Sequence, residues 1–249
     1  MSNLRDAVGL RATWKTLAES EYEFDPATGT LWGYMKQRGN PCFNLALLKE
    51  IRSVGNELTA NSGHIDFEGA MHKVNTYVAA SRAPRVFNLG GDLALFLLLI
   101  RSRDRDALAH YARLCIDNIH GQIEHYQCPA LTTVSLVQGD ALGGGFEMAL
   151  CADVLAKDGE GESAVQTWIA KNERRRSGFQ GVMRVRQQVN PISRAELDAV
   201  ADTWVDCALR LEDRDLRMMS RVVRAQMERM EAAAAPDPVP AAGIAMAAG

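Results

Sequence analysis

The sequence predicts an α/β fold, with strands joined by helical crossovers and a helical region following them. Three observations carry this expectation. β-type runs alternate with amphipathic stretches long enough to cross over a sheet and return in parallel. Two of the strand-to-helix junctions are marked by glycine clusters, Gly90-Gly91 and Gly143-Gly144-Gly145. After Gly161 the pattern becomes almost entirely helical. With 249 residues, 47% of them hydrophobic, the chain can build one sizeable core, or one core and a helical extension.

Taken in order, residues 20–36, SEYEFDPATGTLWGYMK, read as a hairpin turning at D-P-A-T-G with β-formers on both sides. A helix follows at about 43–58, its apolar positions Phe43, Leu47, Leu48, Ile51 and Val54 spaced by three and four. Strand character returns at 75–79 and 85–89. Gly90-Gly91 then leads into DLALFLLLI at 92–100, where Asp92 is the expected N-cap. Its apolar run is far too short to span a membrane and is expected as a core helix or the wall of an apolar pocket. A long helix at about 104–126 carries Leu108, Tyr111, Cys115, Ile119 and Ile123 on one stripe, expected as packing residues. Strand 131–137 feeds the second glycine turn and a helix at 144–155. Residues 193–231 open on the capping-box string S-R-A-E and carry Leu197, Val200, Trp204, Ala208 and Leu211 at helical spacing. The last stretch, EAAAAPDPVPAAGIAMAAG, is low-complexity and expected as a disordered tail. The expected organisation is thus an α/β core at 1–155, holding the hairpin and both glycine turns, a helical region at 156–231, and a tail at 232–249.

Composition excludes several classes of function. The net charge of −3, with signs well mixed, gives no case for nucleic acid, and Arg174-Arg175-Arg176 with Arg184 and Arg186 read as the solvated face of a helix. Cys42, Cys115, Cys128, Cys151 and Cys207 show no C-x-x-C pair and are expected as buried reduced thiols. His64, His72, His110, His120 and His125 have no carboxylate or cysteine at ligand spacing, so no metal site is expected. Ser135 lacks the G-x-S-x-G pattern of a hydrolase elbow. MSNLRDAVGL has no apolar run of a secretory signal, which suits a cytoplasmic protein.

The chemistry concentrates in residues 136–151, LVQGDALGGGFEMALC. Three consecutive glycines remove every Cβ where backbone must approach a ligand closely, and unpaired N–H groups at such a junction can face a substrate oxygen. Glu147 follows in the first helical turn. A carboxylate there serves equally as a surface cap, so taken alone it is evenly balanced between structure and chemistry. Neither glycine turn is a dinucleotide fingerprint, and no Walker lysine follows.

LGGDL followed some fifty residues later by GDALGGGFE resembles the enoyl-CoA hydratase (crotonase) superfamily, and within it most of all the diffusible signal factor synthases. NLGGDLALF, HYQCPALTTVSLVQGDALGGGFE, RRRSGFQGVMRVRQQVNP and ALRLEDRDLRMMSRVVRAQ carry the narrower likeness, which covers residues 20 to about 230 with one large gap. The resemblance implies a spiral of ββα units, here truncated, with a helical C-terminal region. It implies an oxyanion hole from the backbone N–H groups of Leu89 and Gly144, supported by Gly90, Gly91, Gly143 and Gly145, and Glu147 as the first of two catalytic glutamates. The family's second glutamate stands in a G-x-P-E context, followed by F-P-G-x-G. Neither string occurs here, and several dozen residues have no counterpart between about Val154 and Ala156. The nearest substitutes, Glu160 and Glu162, lie in a polar D-G-E-G-E string and read as solvated.

The implied substrate is an acyl-CoA or an acyl-phosphopantetheine on acyl carrier protein, with no other cofactor. The implied product is a 2-unsaturated or related free fatty acid, and the implied contacts are a trimer-type homo-oligomer and a sensor-kinase receiver domain. Full dehydration across an acyl thioester needs two positioned acid/base groups, whereas hydrolysis needs one base opposite an oxyanion hole. Turnover, and thioester binding without turnover, both stay open at this point.

Overall fold

The computed structural model describes residues 11–37, 39–157, 162, 165–166 and 193–234. The arginines at 174–176, 184 and 186, Glu160, the tail beyond 234 and most of the expected helical stretch between 163 and 192 lie outside the described residues.

Strands β1 (Ala12–Thr16), β2 (Ser20–Asp25) and β3 (Thr30–Met35) form an antiparallel meander. The Asp25 carboxylate closes the β2–β3 turn by accepting from the Ala27 N–H and the Thr28 hydroxyl at 3.0 Å each, as an Asx turn does. From β3 onward the pairing is parallel: β6 (Thr76–Ser81), β8 (Thr132–Val137) and β10 (Val154–Lys157) complete a six-stranded sheet of order β1-β2-β3-β6-β8-β10. Every residue of β3 and β6 is buried, as expected where both faces of a sheet are covered. Trp32, Tyr34, Val78, Ala80, Val134 and Leu136 fill one face. Two small pairings complete the strands, the hairpin of β4 (His64–Phe67) with β5 (Ala70–Lys73) and the parallel pair β7 (Val86–Asn88) with β9 (Asp140–Ala141).

Helices α1 (Leu45–Ala60), α2 (Leu93–Ser102) and α3 (Arg105–Ile123) each begin where a side chain takes up an orphan N–H. Asn44 accepts from Leu47, Asp92 from Leu95 and Asp104 from Ala107, all within 3.0 Å. The predicted Asp92 cap is therefore present. The short α4 (Gly144–Leu150) follows the second glycine turn, and α5 (Arg194–Leu209) and α6 (Asp213–Ala234) close the described chain. Ser193 and Glu196 form the reciprocal capping box that S-R-A-E predicts.

Three expectations are corrected. The helix expected at 144–155 stops at Leu150, because Val154–Lys157 pairs in parallel with β8 and completes the sheet. This strand spans the position where the core was expected to end. The single helix expected at 193–231 is two, broken after Leu209. The buried face of α5 is Leu197, Ala201, Val205 and Ala208, whereas Val200 and Trp204 lie beside that face and stay exposed. Burying four side chains of this size is worth several kcal/mol at about 25 cal/mol per Å². The exposed ion pairs beside them, Arg105–Asp206 and Arg113–Asp202, add little by comparison, because water screens both partners.

Candidate active site

The two glycine turns meet because β7 and β9 pair in parallel directly before them. Asn88, fully buried at the end of β7, binds both. Its backbone carbonyl accepts from the Leu142 N–H at 3.0 Å and its side-chain Oδ1 from the Gly90 N–H at 2.8 Å. The approach is closest at Gly145, where a Cβ would stand 2.1 Å from the Asn88 carbonyl oxygen. Gly90, at φ +88°, combines a left-handed backbone with a Cβ position 2.6 Å from the Leu142 oxygen and 3.0 Å from the Gly144 nitrogen. Only glycine meets both conditions.

Beside this junction lies a cavity of about 320 Å³, at the small end of ligand pockets. The loop and helix around Phe43, Leu48 and Ile51 form one wall, α3 contributes Tyr111, Cys115, Asn118 and Ile119, and Val200 and Trp204 of α5 stand opposite. Gly91, Gly144 and Glu147 complete the lining. Phe96 of α2 is packed edge-on against Tyr111 with ring centres 4.7 Å apart and tilted against Trp204 at 4.9 Å. The expectation of a pocket wall in LALFLLLI is thus met by Phe96.

The donor set differs from the one the resemblance implies. The Leu89 N–H donates to the Pro41 carbonyl at 2.8 Å, which takes it out of the cavity in this structure. The N–H groups of Gly91 and Gly144, both lining the cavity, donate to no described residue. A Cβ built on Gly144 would stand 3.9 Å from the Gly91 nitrogen, so the two residues are close neighbours in the lining. Gly143 takes φ +47° at the turn itself, and Gly145 faces Asn88 and away from the cavity.

Glu147 makes no hydrogen bond or ion pair to any described residue and is open to the cavity. Its neighbour Cys115 is pushed up to about 12, by burial first and then by the Glu147 charge, against a lowering hydrogen bond from Tyr111. At neutral pH Cys115 is therefore a thiol and no nucleophile. Burial likewise raises Tyr111, whose hydroxyl is fixed between the Phe43 carbonyl and the Asp92 N–H. Among the described residues lining the cavity, Glu147 is the one carboxylate.

Glu162 is not the solvated residue its polar string suggests. It lies on another part of the sheet, bonded to Arg11 at 2.6 Å and to the Tyr34 hydroxyl at 2.9 Å, with Arg82 3.5 Å away. Although burial opposes it, these partners hold its carboxyl below the usual range. It is a structural anion, remote from the Glu147 cavity.

His125 also finds a partner that its sequence neighbours do not reveal. Its Nε2 is 3.0 Å from Asp153, and Asp153 further accepts from the Thr133 N–H at 2.8 Å and hydroxyl at 3.0 Å. Burial pushes the Asp153 carboxyl up, but these hydrogen bonds outweigh it and leave it lowered. The cluster anchors His125, Tyr126 and Gln127, three successive residues in the left-handed region. That conformation costs about 1–2 kcal/mol per residue, and is held also by Thr59 donating to the Tyr126 carbonyl at 3.0 Å and by Tyr126 packing edge-on against Tyr77.

Cys42 and Cys128 are the buried thiols expected, whereas Cys115 and Cys151 are half-buried and Cys207 is exposed. Among the described residues no cluster of three or more His, Cys, Asp or Glu could hold a metal, and no helix is long and apolar enough to cross a membrane. Sequence reasoning passed over Asn118, Asn88 and the Gly91 N–H, which bonds to no described residue. Asn118 falls three residues past Cys115 on the apolar stripe, and a polar residue in that register was the available signal.

No family model and no curated protein matches the sequence. Solved structures that resemble it include an enoyl-CoA hydratase of Geobacillus kaustophilus HTA426, 14% identical over 91% of this chain and 85% of that one, with a TM-score of 0.47. An enoyl-CoA hydratase/isomerase of Marinobacter aquaeolei is 13% identical over 86% and 96%, with a TM-score of 0.48. DspI of Pseudomonas aeruginosa is 15% identical over 87% and 91%, with a TM-score of 0.41.

Proposed function

We propose that the chain binds an acyl thioester of CoA or of acyl carrier protein in the Glu147 cavity and hydrolyses it to the free fatty acid. The observation that supports this reading is the presence, in the lining of one apolar cavity, of a carboxylate and two neighbouring backbone N–H groups that are bonded to no described residue. The thioester carbonyl oxygen would accept from Gly91 and Gly144, so that charge developing on it meets fixed donors. Glu147 would take a proton from a water molecule as that water's oxygen bonds to the carbonyl carbon. As the tetrahedral adduct collapses the C–S bond breaks, and the proton held by Glu147 goes to the departing thiolate. Acid and thiol are formed from thioester and water, with no redox step.

The crotonase-like motifs GDALGGGFE and LGGDL favour the same substrate class. They also suggest a dehydratase that forms a 2-unsaturated acid. That reaction needs a second acid/base group, and none of the described residues lining the cavity besides Glu147 carries a carboxylate. Hydrolysis is therefore the better fit. A second reading, binding of the thioester without turnover, is favoured by the same shortage.

The test is mass spectrometry of products after incubating the protein, beside its Glu147→Gln variant, with a medium-chain 3-hydroxyacyl thioester. Free hydroxy acid from the parent, falling at least about 100-fold in the variant, is the expected result. Product at equal rates from both would remove Glu147 from the mechanism. Binding without product would leave the second reading.

A further inference from the structure

The hydrolysis just proposed leaves one polar side chain of the cavity without a task. Asn118 is 5% exposed and lines the cavity together with Leu48, Ile51 and Ile119. Its Nδ2 donates to the Leu48 backbone carbonyl at 2.9 Å. A carbonyl oxygen can only accept, so this bond fixes which way the amide points. The Oδ1 then faces away from Leu48, and among the described residues nothing donates to it. Its residue lines the cavity, which is where a donor from outside the described chain would reach this oxygen.

Position along α3 narrows what can reach it. Tyr111, Cys115 and Asn118 occupy successive turns, with Tyr111 beside Gly91 and Cys115 close enough to feel the Glu147 charge. Gln122, one further turn along, reaches the Met148 carbonyl at 3.4 Å, so α4 lies alongside this same stretch of α3. Asn118 therefore stands past the thioester point and next to Glu147 and Met148, where an acyl chain would run. A plain hydrocarbon there would bury a hydrogen-bond acceptor with no donor, which weakens binding, whereas a hydroxyl on the chain supplies the donor.

We propose that Asn118 is a specificity-determining residue of the cavity: its Oδ1 accepts a hydrogen bond from a hydroxyl on the acyl chain, and the site selects hydroxyacyl over plain acyl thioesters. This rests on the acyl-thioester reading above. The amide N–H groups of a phosphopantetheine arm, or a resident water, are the other donors that could satisfy Oδ1, and each gives a different experimental result.

The experiment is calorimetric titration of the full chain with two thioether analogues that cannot be hydrolysed, decyl-CoA and 3-hydroxydecyl-CoA. The parent is expected to bind the hydroxylated analogue at least about tenfold more tightly, and Asn118→Leu to bring that ratio close to one. The ratio is the readout that a purely structural role would not move, because losing the α3–α1 bond weakens both ligands alike. Equal affinity in the parent, as expected if a water stays on Oδ1, overturns the proposal and leaves the thioester reading standing. An unchanged ratio in Asn118→Leu with both ligands weakened also overturns it, and assigns the amide to the pantetheine arm or to helix packing. No binding of either analogue removes both readings. Should Asn118→Leu fail to fold, Asn118→Ala gives the same ratio, and the parent's own preference already decides against the proposal if it is absent.

Discussion

Asp153 and Glu147 lie six residues apart in the sequence, on either side of the turn between α4 and β10, and the fold surrounds them in opposite ways. Asp153 is almost wholly buried and accepts hydrogen bonds from His125, the Thr133 N–H and the Thr133 hydroxyl. Glu147 opens on a cavity and accepts none from a described residue. A carboxylate whose lone pairs are filled by its own chain has its energy committed to the folded state, and one left unfilled keeps that capacity for a ligand or a proton. The difference teaches that burial alone does not mark a functional acid, since the better buried of these two is the structural one.

The sharpest way to break this comparison is at Glu147. Glu147→Gln is expected to lower thioester turnover by about two to four orders of magnitude while changing unfolding free energy by no more than about 0.5 kcal/mol. A loss of stability comparable to the loss of activity would show that Glu147 is structural after all. The reciprocal change, Asp153→Ala, strands His125 and the Thr133 donors and is expected to cost about 3–5 kcal/mol. In a chain of this size that lowers the melting temperature by roughly 10 °C, read by calorimetry, and a shift under 3 °C would refute the structural role.

A smaller effect tests the backbone beneath Glu147. Gly145→Ala would force a Cβ to 2.1 Å from the Asn88 carbonyl and is expected to destabilise by about 1–3 kcal/mol in urea unfolding. Gly144→Ala, whose nearest neighbours would be 3.8 Å away, should leave stability within about 0.5 kcal/mol. Equal effects would mean that the two turns are not held together as tightly as their contacts indicate. The smallest expected effect is one of pH. Because the Asp153 carboxyl is lowered in the folded chain, the unfolded state binds the extra proton on acidification. The contribution is whole above the unfolded value of about 3.9 and is lost as pH falls through the folded one. Stability measured from pH 5 downward should thus fall less steeply in Asp153→Asn than in the parent.

These contrasts also mark how far the sequence could be read. The Asp92 cap, the S-R-A-E box and the D-P-A-T-G turn are local signals, and each one forms the element it predicts. The glycine strings marked the place where two loops converge, because a missing Cβ is visible in a sequence. Partner choice across space was not visible. Glu162 and His125 sit in strings that look solvated or solitary, and their partners Arg11, Arg82 and Asp153 come from just before β1, just after β6 and the turn before β10. The strand Val154–Lys157 was missed for a related reason. Three apolar residues and a lysine continue the preceding helix in period as well as they begin a strand, and pairing with β8 decides the matter. Trp204 was read as packing and instead walls the cavity, since the face of α5 that meets α3 lies one residue round, at Ala201 and Val205.

The side chain of Gln226, on α6, reaches back to the Leu89 carbonyl at 3.4 Å, and with Val200 and Trp204 it brings the end of the chain onto turns laid down more than a hundred residues earlier. During synthesis the glycine turns, Glu147 and the apolar walls from α1 and α3 emerge first, and their last wall is still inside or attached to the ribosome. Until α5 and α6 are released, the nascent chain presents an open apolar trough that holds its own charged residue. α5 thus supplies the last wall of the Glu147 cavity, whereas the sheet core of Trp32, Tyr34, Val78 and Val134 is filled without it.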